Sequence, residues 1–183
     1  QGLKILKSKK NLGLKTLLDI CGVQSQPNVY HIGYLLGPRI NAGGRVGKSS
    51  HGANLLISKN PKDVFKLASE LDMFNNERQL LEKEVLEKIL AVIGNKVHDP
   101  VIIVDGKNWH EGVIGIVASR IKDKFNKPVI IISNNKNGIG KASARSIFGF
   151  DIGSAIISAT QKKILVKGGG HKMAGGFSIK IEN

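Results

Sequence analysis

The chain has 183 residues, enough to bury a substantial core, and its 28 Lys and Arg against 14 Asp and Glu give a formal net charge of +14. This basic balance indicates a polyanionic partner, and the single cysteine excludes an internal disulfide, so we expect a cytoplasmic protein. No apolar run reaches about 18 residues and no signal peptide opens the chain, so we expect no membrane partner.

The positive charge is concentrated towards the two ends of the sequence. Residues 1 to 50 carry eight basic and one acidic side chain, and residues 95 to 183 carry fourteen and six, whereas residues 51 to 94 are nearly balanced. A charge that served only solubility would be spread more evenly, so the pattern favours anion-binding surfaces. The start at Gln1, ahead of a lysine-rich stretch, predicts that the chain is an interior part of a longer protein.

The first fifty residues contain a short helix and then a glycine-rich basic segment. Leu12 to Val23 has leucines at helical spacing. Gly37 to Arg45 reads Gly-Pro-Arg-Ile-Asn-Ala-Gly-Gly-Arg, which is typical either of a polar turn or of an anion site. Because only one acidic residue lies in this region, Arg39 and Arg45 have few nearby carboxylates, and a ligand anion is a reasonable partner.

A Walker A pattern overlaps this segment and provides a competing interpretation. Ala42 to Ser49 reads Ala-Gly-Gly-Arg-Val-Gly-Lys-Ser, and Val101 to Asp105 resembles a Walker B strand. A P-loop needs a buried strand directly before its glycines. That place is occupied by Pro38 and Arg39, which do not suit a central strand, so an NTPase is kept only as a rival.

A long helix is predicted next. Asn60 and Pro61, followed by Asp63, form a strong helix start. One apolar stripe then runs from Val64 to Val92 and is interrupted only at Asn75 to Arg78. At 1.5 Å per residue this is about 45 Å of helix, which is typical of a connector between two bodies.

After Gly94 the pattern becomes that of an α/β domain. Trp109 and His110 lie between the first strand and its helix, where ligands bind in open α/β sheets, although Trp109 also suits a core and His110 a helix cap. Gly112 and Gly115 on one helix face indicate close packing rather than chemistry. The predicted elements are strands at Val101–Val104, Val129–Ser133, Ile139–Ser146 and Gly176–Ile181, and helices at Gly112–Phe125 and Asp151–Ser158.

Two polar clusters in this domain suit phosphate binding. In Ser143-Ala-Arg-Ser146 the strand alternation puts Ser143 and Arg145 on one face. Gly168 to Gly176 holds five glycines, which suggests backbone access for an anion beside His171 rather than core packing. The alternative for the second cluster is a tight glycine turn before an edge strand, with an incidental histidine.

Three separated motifs together resemble the RecJ family of single-stranded-DNA-specific exonucleases, within the DHH phosphoesterase superfamily. These motifs are Gly37-Pro-Arg-Ile-Asn-Ala-Gly-Gly-Arg45, Trp109-His-Glu-Gly-Val-Ile-Gly-Ile-Val-Ala-Ser-Arg120 and Gly169-Gly-His-Lys-Met-Ala-Gly-Gly-Phe177. Ser143-Ala-Arg-Ser146 is similar to the Ser-Gly-Arg-Ser segment of that family. The resemblance implies that residues 1–58 are the helical carboxyl-terminal part of a DHH domain, residues 59–94 a connector helix, and residues 95–183 a DHHA1 substrate-binding domain with a mixed sheet.

The resemblance implies a metal-dependent 5′-to-3′ exonuclease of DNA repair and recombination, in which this portion holds the single strand. The expected phosphate-binding residues are Ser143, Arg145, Ser146, Gly169, Gly170 and His171, facing Arg39, Asn41 and Arg45, with His110 near the scissile group. The expected partners are single-stranded DNA and an upstream DHH domain, with a monomer as the expected oligomeric state.

The resemblance also implies Mn²⁺ or Mg²⁺ in the parent enzyme, bound by an Asp-His-His motif on the upstream domain that this chain lacks. The five histidines here show no metal-ligand spacing, so we expect no metal on this chain and no hydrolysis by it alone. Besides the P-loop NTPase, two alternatives remain open: a DHH-family phosphodiesterase acting on short oligonucleotides or cyclic dinucleotides, and a non-catalytic RNA-binding DHHA1 module.

Overall fold

The structure, a computed structural model, describes residues 1–8, 10–135 and 137–182. It divides into two compact units, with the boundary between Leu80 and Leu81. In the part of the chain that is described, no helix is both long enough and apolar enough to cross a membrane.

The first unit is helical. Its core contains buried leucines from several helices, among them Leu17, Leu55 and Leu71. The helices are α1 (Gly2–Lys7), α2 (Leu12–Ile20), a π-helical segment (His31–Leu36), α3 (Gly37–Val46), α4 (His51–Ile57) and the first part of α5 (Pro61–Val92). The helices predicted near Leu12 and from Pro61 are therefore present, and α5 is one continuous helix through Asn75 and Arg78, as predicted, although the apolar stripe is interrupted there.

The glycine-rich segment Gly37 to Arg45 is helical, so the expectation of a polar turn there is wrong. Pro38 lies in the first turn of α3, directly after the π-helical segment, and its ring fixes a φ that suits a helix. Gly43 is needed for packing, because a Cβ there would come within 2.8 Å of the Lys48 carbonyl oxygen. The Walker A pattern consequently begins inside a helix that follows a π-helical segment, which is not the strand-to-loop context of a P-loop.

The second unit is built on a five-stranded mixed sheet, as the α/β prediction required. The strand order is β1-β2-β3-β5-β4; β1 and β2 are parallel and every other pair is antiparallel. The elements are β1 (Ile102–Lys107), α6 (Glu111–Phe125), β2 (Val129–Asn134), β3 (Ile139–Arg145), α7 (Ile152–Gln161), β4 (Lys167–His171) and β5 (Ala174–Lys180), with a 3-10 segment at Gly94–His98.

The two faces of the sheet are covered by different helices. On the first face, Val129 and Ile131 of β2 pack in one cluster with α6 and the end of α5. On the second face, Ala144 of β3 and Phe177 of β5 pack against α7. Because side chains alternate along a strand, the residues of β3, β5 and β4 that share a register row also share one of these faces.

Candidate nucleic-acid interface

Arg145, the last residue of β3, donates hydrogen bonds to two hydroxyl groups and to a backbone carbonyl oxygen. Its Nη1 donates to Ser143 Oγ at 3.1 Å and to the Ala144 carbonyl oxygen at 2.8 Å, and its Nε donates to Ser119 Oγ at 3.2 Å. The alternation of β3 therefore places Ser143 and Arg145 on one face, as predicted. These hydrogen bonds fix the geometry of the guanidinium, whose planar set of N–H donors suits a phosphate.

Helix α6 contributes two residues to this arrangement: Ser119, which sequence reasoning missed, and Gly115, which it assigned to close packing. Ser119 accepts from Arg145 and donates to the Gly115 carbonyl oxygen at 3.2 Å. A Cβ on Gly115 would lie 2.8 Å from Arg145 Nη2 and 2.9 Å from Ser143 Oγ. Gly115 thus makes room for the polar cluster itself, and the signal in the sequence was the spacing of two small residues one helical turn apart.

Next to Arg145 the first face of the sheet has a surface of small residues, which we call the glycine floor. It consists of Ala174 and Gly176 on β5 and Gly169 on β4. The register places Arg145, Ala174 and His171 in one row, and Ser143, Gly176 and Gly169 in the next. A Cβ added at Gly169 would meet nothing within 4 Å, so the floor is open above β4.

Basic side chains border the glycine floor on both sides. On β3, Lys141 shares the face of Arg145 and donates to Ser178 Oγ at 3.0 Å. On the edge strand β4, Lys167 and His171 share the face of Gly169 and are exposed. A backbone surface flanked by cations suits an extended polyanion, because phosphates can approach closely while their charges are balanced.

The remaining glycines of the hairpin have a different role, which corrects the expectation that none of them serves packing. A Cβ on Gly168 would lie 2.7 Å from Ile156 Cγ2, and one on Gly175 would lie 2.5 Å from Ile156 Cδ1. A Cβ on Gly170 would lie 2.6 Å from the Gly175 Cα. These three glycines let α7 and the two strands approach closely, so the glycine-rich stretch is mostly paired strand.

His171 closes β4 next to the amino end of α7. The turn that follows it is Lys172 and Met173, and a cavity of about 440 Å³ lies between this turn and Ser154. Asp151 caps α7 by accepting the Ser154 N–H at 3.0 Å. That hydrogen bond lowers the pKa of the Asp151 carboxyl, so it is ionised at neutral pH beside the His171 strand.

Ser146 and His110 are used differently from the other predicted residues. Ser146 is buried, and its hydroxyl donates to the Phe150 carbonyl oxygen at 2.7 Å, so it shapes a loop instead of facing the floor. His110 caps α6 by accepting the Gly112 N–H on Nδ1 at 3.1 Å, and Trp109 packs in the core. In their local contacts His110 is therefore a helix cap and Trp109 a core residue, the two alternatives that the sequence had left open.

In the helical unit the three predicted residues of α3 are not equivalent. Arg39 Nε donates to Asp72 Oδ1 at 2.7 Å, and Arg39 Nη1 donates to the Leu35 carbonyl oxygen at 3.1 Å. A ligand anion was suggested for Arg39 because few carboxylates lie near it in the sequence. The structure gives it a carboxylate partner, Asp72, which is 33 positions away. Asn41 and Arg45 are exposed and stand one helical turn apart on α3.

Comparison with known proteins identifies the second unit. Residues 94–183 match the DHHA1 domain. This part of the chain is a DHHA1 domain. The glycine floor, Arg145 and the α7 cap all belong to it, and its mixed sheet is the fold that the sequence resemblance implied.

The similarity extends over the whole chain to one family of nucleases. The chain is 35% identical to the single-stranded-DNA-specific exonuclease RecJ of Bacillus subtilis, in an alignment that covers 100% of this chain. It is 33% identical to the same enzyme of Escherichia coli, in an alignment that covers 98% of this chain. The structure of RecJ from Thermus thermophilus with Mg²⁺ matches 98% of the chain with a TM-score of 0.85 and 30% identity. The chain spans 23% and 33% of the length of the two curated relatives and 27% of that structure.

Side chains that could bind a metal ion do not cluster in the described residues of either unit. Within residues 1–8, 10–135 and 137–182, no three His, Cys, Asp or Glu side chains come together as a ligand group. Two RecJ structures from Thermus thermophilus were solved with Mg²⁺ and with Mn²⁺. The described residues of this chain therefore offer no fit for such an ion.

Proposed function

We propose that this chain is the strand-holding part of a metal-dependent 5′-to-3′ single-stranded-DNA exonuclease that acts in DNA repair and recombination. The observation that carries the proposal is the glycine floor, an open backbone surface bordered by Arg145, Lys141, Lys167 and His171. The similarity to RecJ over the whole chain supports single-stranded DNA as the polyanion.

In this proposal, phosphates of the strand lie over the glycine floor. Arg145 and Ser143 contact the 5′-terminal phosphate from β3, and His171 contacts it from β4 together with the backbone of Gly169 and Gly170. The net charge of +14 supports binding that weakens as salt rises. Asn41 and Arg45, with Arg39, remain a second proposed set on the helical unit, and His110 remains a proposed residue near the scissile group.

The proposed domain organisation follows the same resemblance. Residues 1–58 would complete an upstream DHH domain, residues 59–94 would connect it, and residues 95–183 would bind the strand. Mn²⁺ or Mg²⁺ would supply an activated water on that upstream domain. Because the described residues hold no suitable ligand group, we assign no step of hydrolysis to this chain and expect it to be inactive by itself. We also propose that the protein is a cytoplasmic monomer.

The test is a fluorescence anisotropy titration of labelled single-stranded oligonucleotides, with and without a 5′ phosphate, over a range of salt. Arg145→Ala should weaken binding about ten- to a hundredfold, since a hydrogen bond to a charged group contributes about 1.5–3 kcal/mol. It should also flatten the slope of log K against log salt by about 0.7, the value for one phosphate contact on a single strand.

The matched control is Lys88→Ala on α5, which removes the same charge from an exposed pair with Glu84. It should leave both the affinity and the 5′-phosphate preference unchanged. A wild-type chain that does not bind, or a loss that is equal in the two variants, contradicts the proposal. Release of nucleotides by clean protein after addition of Mn²⁺ would contradict the expected lack of hydrolysis by this chain.

A further inference from the structure

Phe148 is a large apolar side chain that the fold leaves almost entirely in water. Its side chain and backbone are 98% exposed, in the loop between β3 and α7. Two neighbours share this exposure, since Phe150 is 39% and Met173 is 49% exposed. An aromatic residue presented in this way, beside other exposed apolar groups, marks a binding surface more often than an accident of folding.

The loop that carries Phe148 is fixed by hydrogen bonds. Ser146 Oγ donates to the Phe150 carbonyl oxygen at 2.7 Å, and the Phe150 N–H donates to the Ile147 carbonyl oxygen at 3.4 Å. Gly149 has a φ of 95°, a conformation that glycine adopts without strain. Because the backbone is closed on itself, Phe148 is held at the surface before any ligand arrives, which lowers the entropy lost on binding.

The same loop is joined to the turn that ends the His171 strand. The Ser146 N–H donates to the Met173 carbonyl oxygen at 2.9 Å, and the Ile152 N–H donates to the Lys172 carbonyl oxygen at 3.3 Å. A cavity of about 520 Å³ lies between loop and turn, lined by Phe148, Phe150, Lys172 and Met173 among others. The aromatic surface therefore adjoins the end of the glycine floor, three residues beyond Arg145.

We propose that Phe148 is a stacking platform for a nucleobase of the strand whose phosphates lie on the glycine floor, with Phe150 and Met173 beside it. The inference rests on the proposed function and adds a base contact to its phosphate contacts. Proteins that bind single strands without sequence preference combine a basic backbone track with exposed aromatic side chains.

Charge favours a nucleic acid over a protein segment as the occupant. Lys172 contributes a cation to the cavity, and the Asp151 carboxylate that also lines it is engaged by the Ser154 N–H at 3.0 Å. Residues 95 to 183 carry fourteen basic and six acidic side chains. An apolar patch in a positive environment complements a base attached to a phosphate, whereas a purely apolar protein segment would gain nothing from the cations.

The first experiment compares Phe148→Leu with Phe148→Tyr in the whole 183-residue chain. Both are titrated with an oligonucleotide and with its fully abasic equivalent, which has the same phosphates and no bases. Leucine keeps an apolar side chain without the ring, so it should weaken binding of the normal strand about tenfold and leave binding of the abasic strand unchanged. Tyrosine should bind both strands as the wild type does, and all salt slopes should be equal because no phosphate contact is lost.

A second readout is fluorescence of Phe148→Trp. The wild-type chain has one tryptophan, the buried Trp109, whose emission provides the baseline. The added indole should be quenched by the normal oligonucleotide and become protected from iodide, with neither change on the abasic strand. Because Phe148 is so exposed, none of these variants should unfold the domain.

The outcomes separate this inference from the function on which it rests. If the wild-type chain does not bind single strands, both fall. If it binds with the expected dependence on Arg145 but Phe148→Leu matches the wild type, the stacking platform alone is wrong. A loss that is equal on normal and abasic strands would also overturn it, because the contact would then be to the backbone. No protection of the added indole by the normal strand would likewise overturn it, because no base would then cover the ring.

Discussion

The two faces of the β4–β5 hairpin use the same residue type for different physical reasons. On the face of α7, Gly168 and Gly175 leave room for Ile156, and a Cβ on either would come within 2.7 Å of that side chain. On the opposite face Gly169 has nothing within 4 Å. One set of glycines is therefore required by the fold, and the other leaves the backbone accessible. Substitution by alanine should distinguish the two, because a methyl group is harmful only where space is lacking or where a ligand binds.

The largest expected effect is on folding stability. Gly170→Ala places a Cβ against the Gly175 Cα at 2.6 Å and the Ala174 carbonyl oxygen at 2.7 Å, both backbone atoms that cannot move easily. Overpacking of this kind should lower the free energy of unfolding by about 2–3 kcal/mol. Denaturant unfolding followed by circular dichroism measures it. An unchanged midpoint would show that β4 can shift away from β5, against the close packing described above.

A second substitution should separate binding from stability. Gly115→Ala raises helix propensity in α6 by about 1 kcal/mol, but its methyl group displaces the flexible end of Arg145. The variant should be as stable as the wild type and yet bind single-stranded DNA about tenfold more weakly, since a hydrogen bond to a charged group is lost. Anisotropy and thermal unfolding on the same samples test this, with Ser119→Ala as a milder companion. Undiminished affinity would mean that the position of Arg145 does not matter.

A smaller change in affinity is expected on the open face. Gly169→Ala adds a methyl group above the glycine floor without touching other atoms, so the free energy of unfolding should change by less than about 0.5 kcal/mol. If a phosphate approaches this backbone, the affinity should fall about fivefold. This corresponds to the loss of roughly 1 kcal/mol, the contribution of one hydrogen bond. The measurement is an anisotropy titration of Gly169→Ala with single-stranded DNA, together with denaturant unfolding of Gly169→Ala and Gly170→Ala. Gly169→Ala should lose affinity but not stability, whereas Gly170→Ala should lose stability. Equal affinity in Gly169→Ala and wild type would remove Gly169 from the proposed site.

The smallest effect concerns the cap of α7, the helix that packs on the closed face. The folded-state pKa of Asp151 is lowered, chiefly by the Ser154 N–H, so its contribution to stability is present above the ordinary value of about 3.9 and is lost as pH falls through the lowered pKa. Asp151→Ala should therefore lower the melting temperature at pH 7, and its difference from wild type should shrink towards pH 2.

The control is Asp151→Asn, which keeps a capping oxygen but does not titrate. Its melting temperature at pH 7 should lie close to that of the wild type, and it should not show the loss of capping at acid pH. A difference between Asp151→Ala and wild type that is constant from pH 7 to pH 2 would assign the effect to the loss of side-chain volume instead.

Apart from β4, which lies in the glycine-rich stretch where no strand was predicted, the order and type of the main elements in residues 94–183 followed from local patterns. The apolar β-branched runs near Ile102 and Val129 and the helix after His110 are signals carried within about fifteen residues of sequence. The helix over Gly37 to Arg45 was a further exception, because a Gly-Pro pair and two more glycines within nine residues locally favour a turn. The family followed from motifs whose order and spacing lie in the sequence itself.

The candidate site was less predictable than the fold. No local pattern connects Ser119 with Arg145, which are 26 positions apart, or Arg39 with Asp72, which are 33 apart. Strand alternation did predict that Ser143 and Arg145 share a face, because the period of two is a property of the backbone. Ser146, the residue after β3, was predicted to be in the strand, and its role in closing the loop follows only from its contact with Phe150.

By itself, then, the amino-acid sequence determined the α/β class, the long helix from Pro61, the basic character and the resemblance to a nuclease family, since each depends on composition, periodicity or ordered motifs. Only the tertiary structure decided which glycines are open and which are packed, and that Arg39 pairs with Asp72. Those properties depend on which strand pairs with which and on which face each helix covers, and distances of this kind arise only when residues remote in sequence come together.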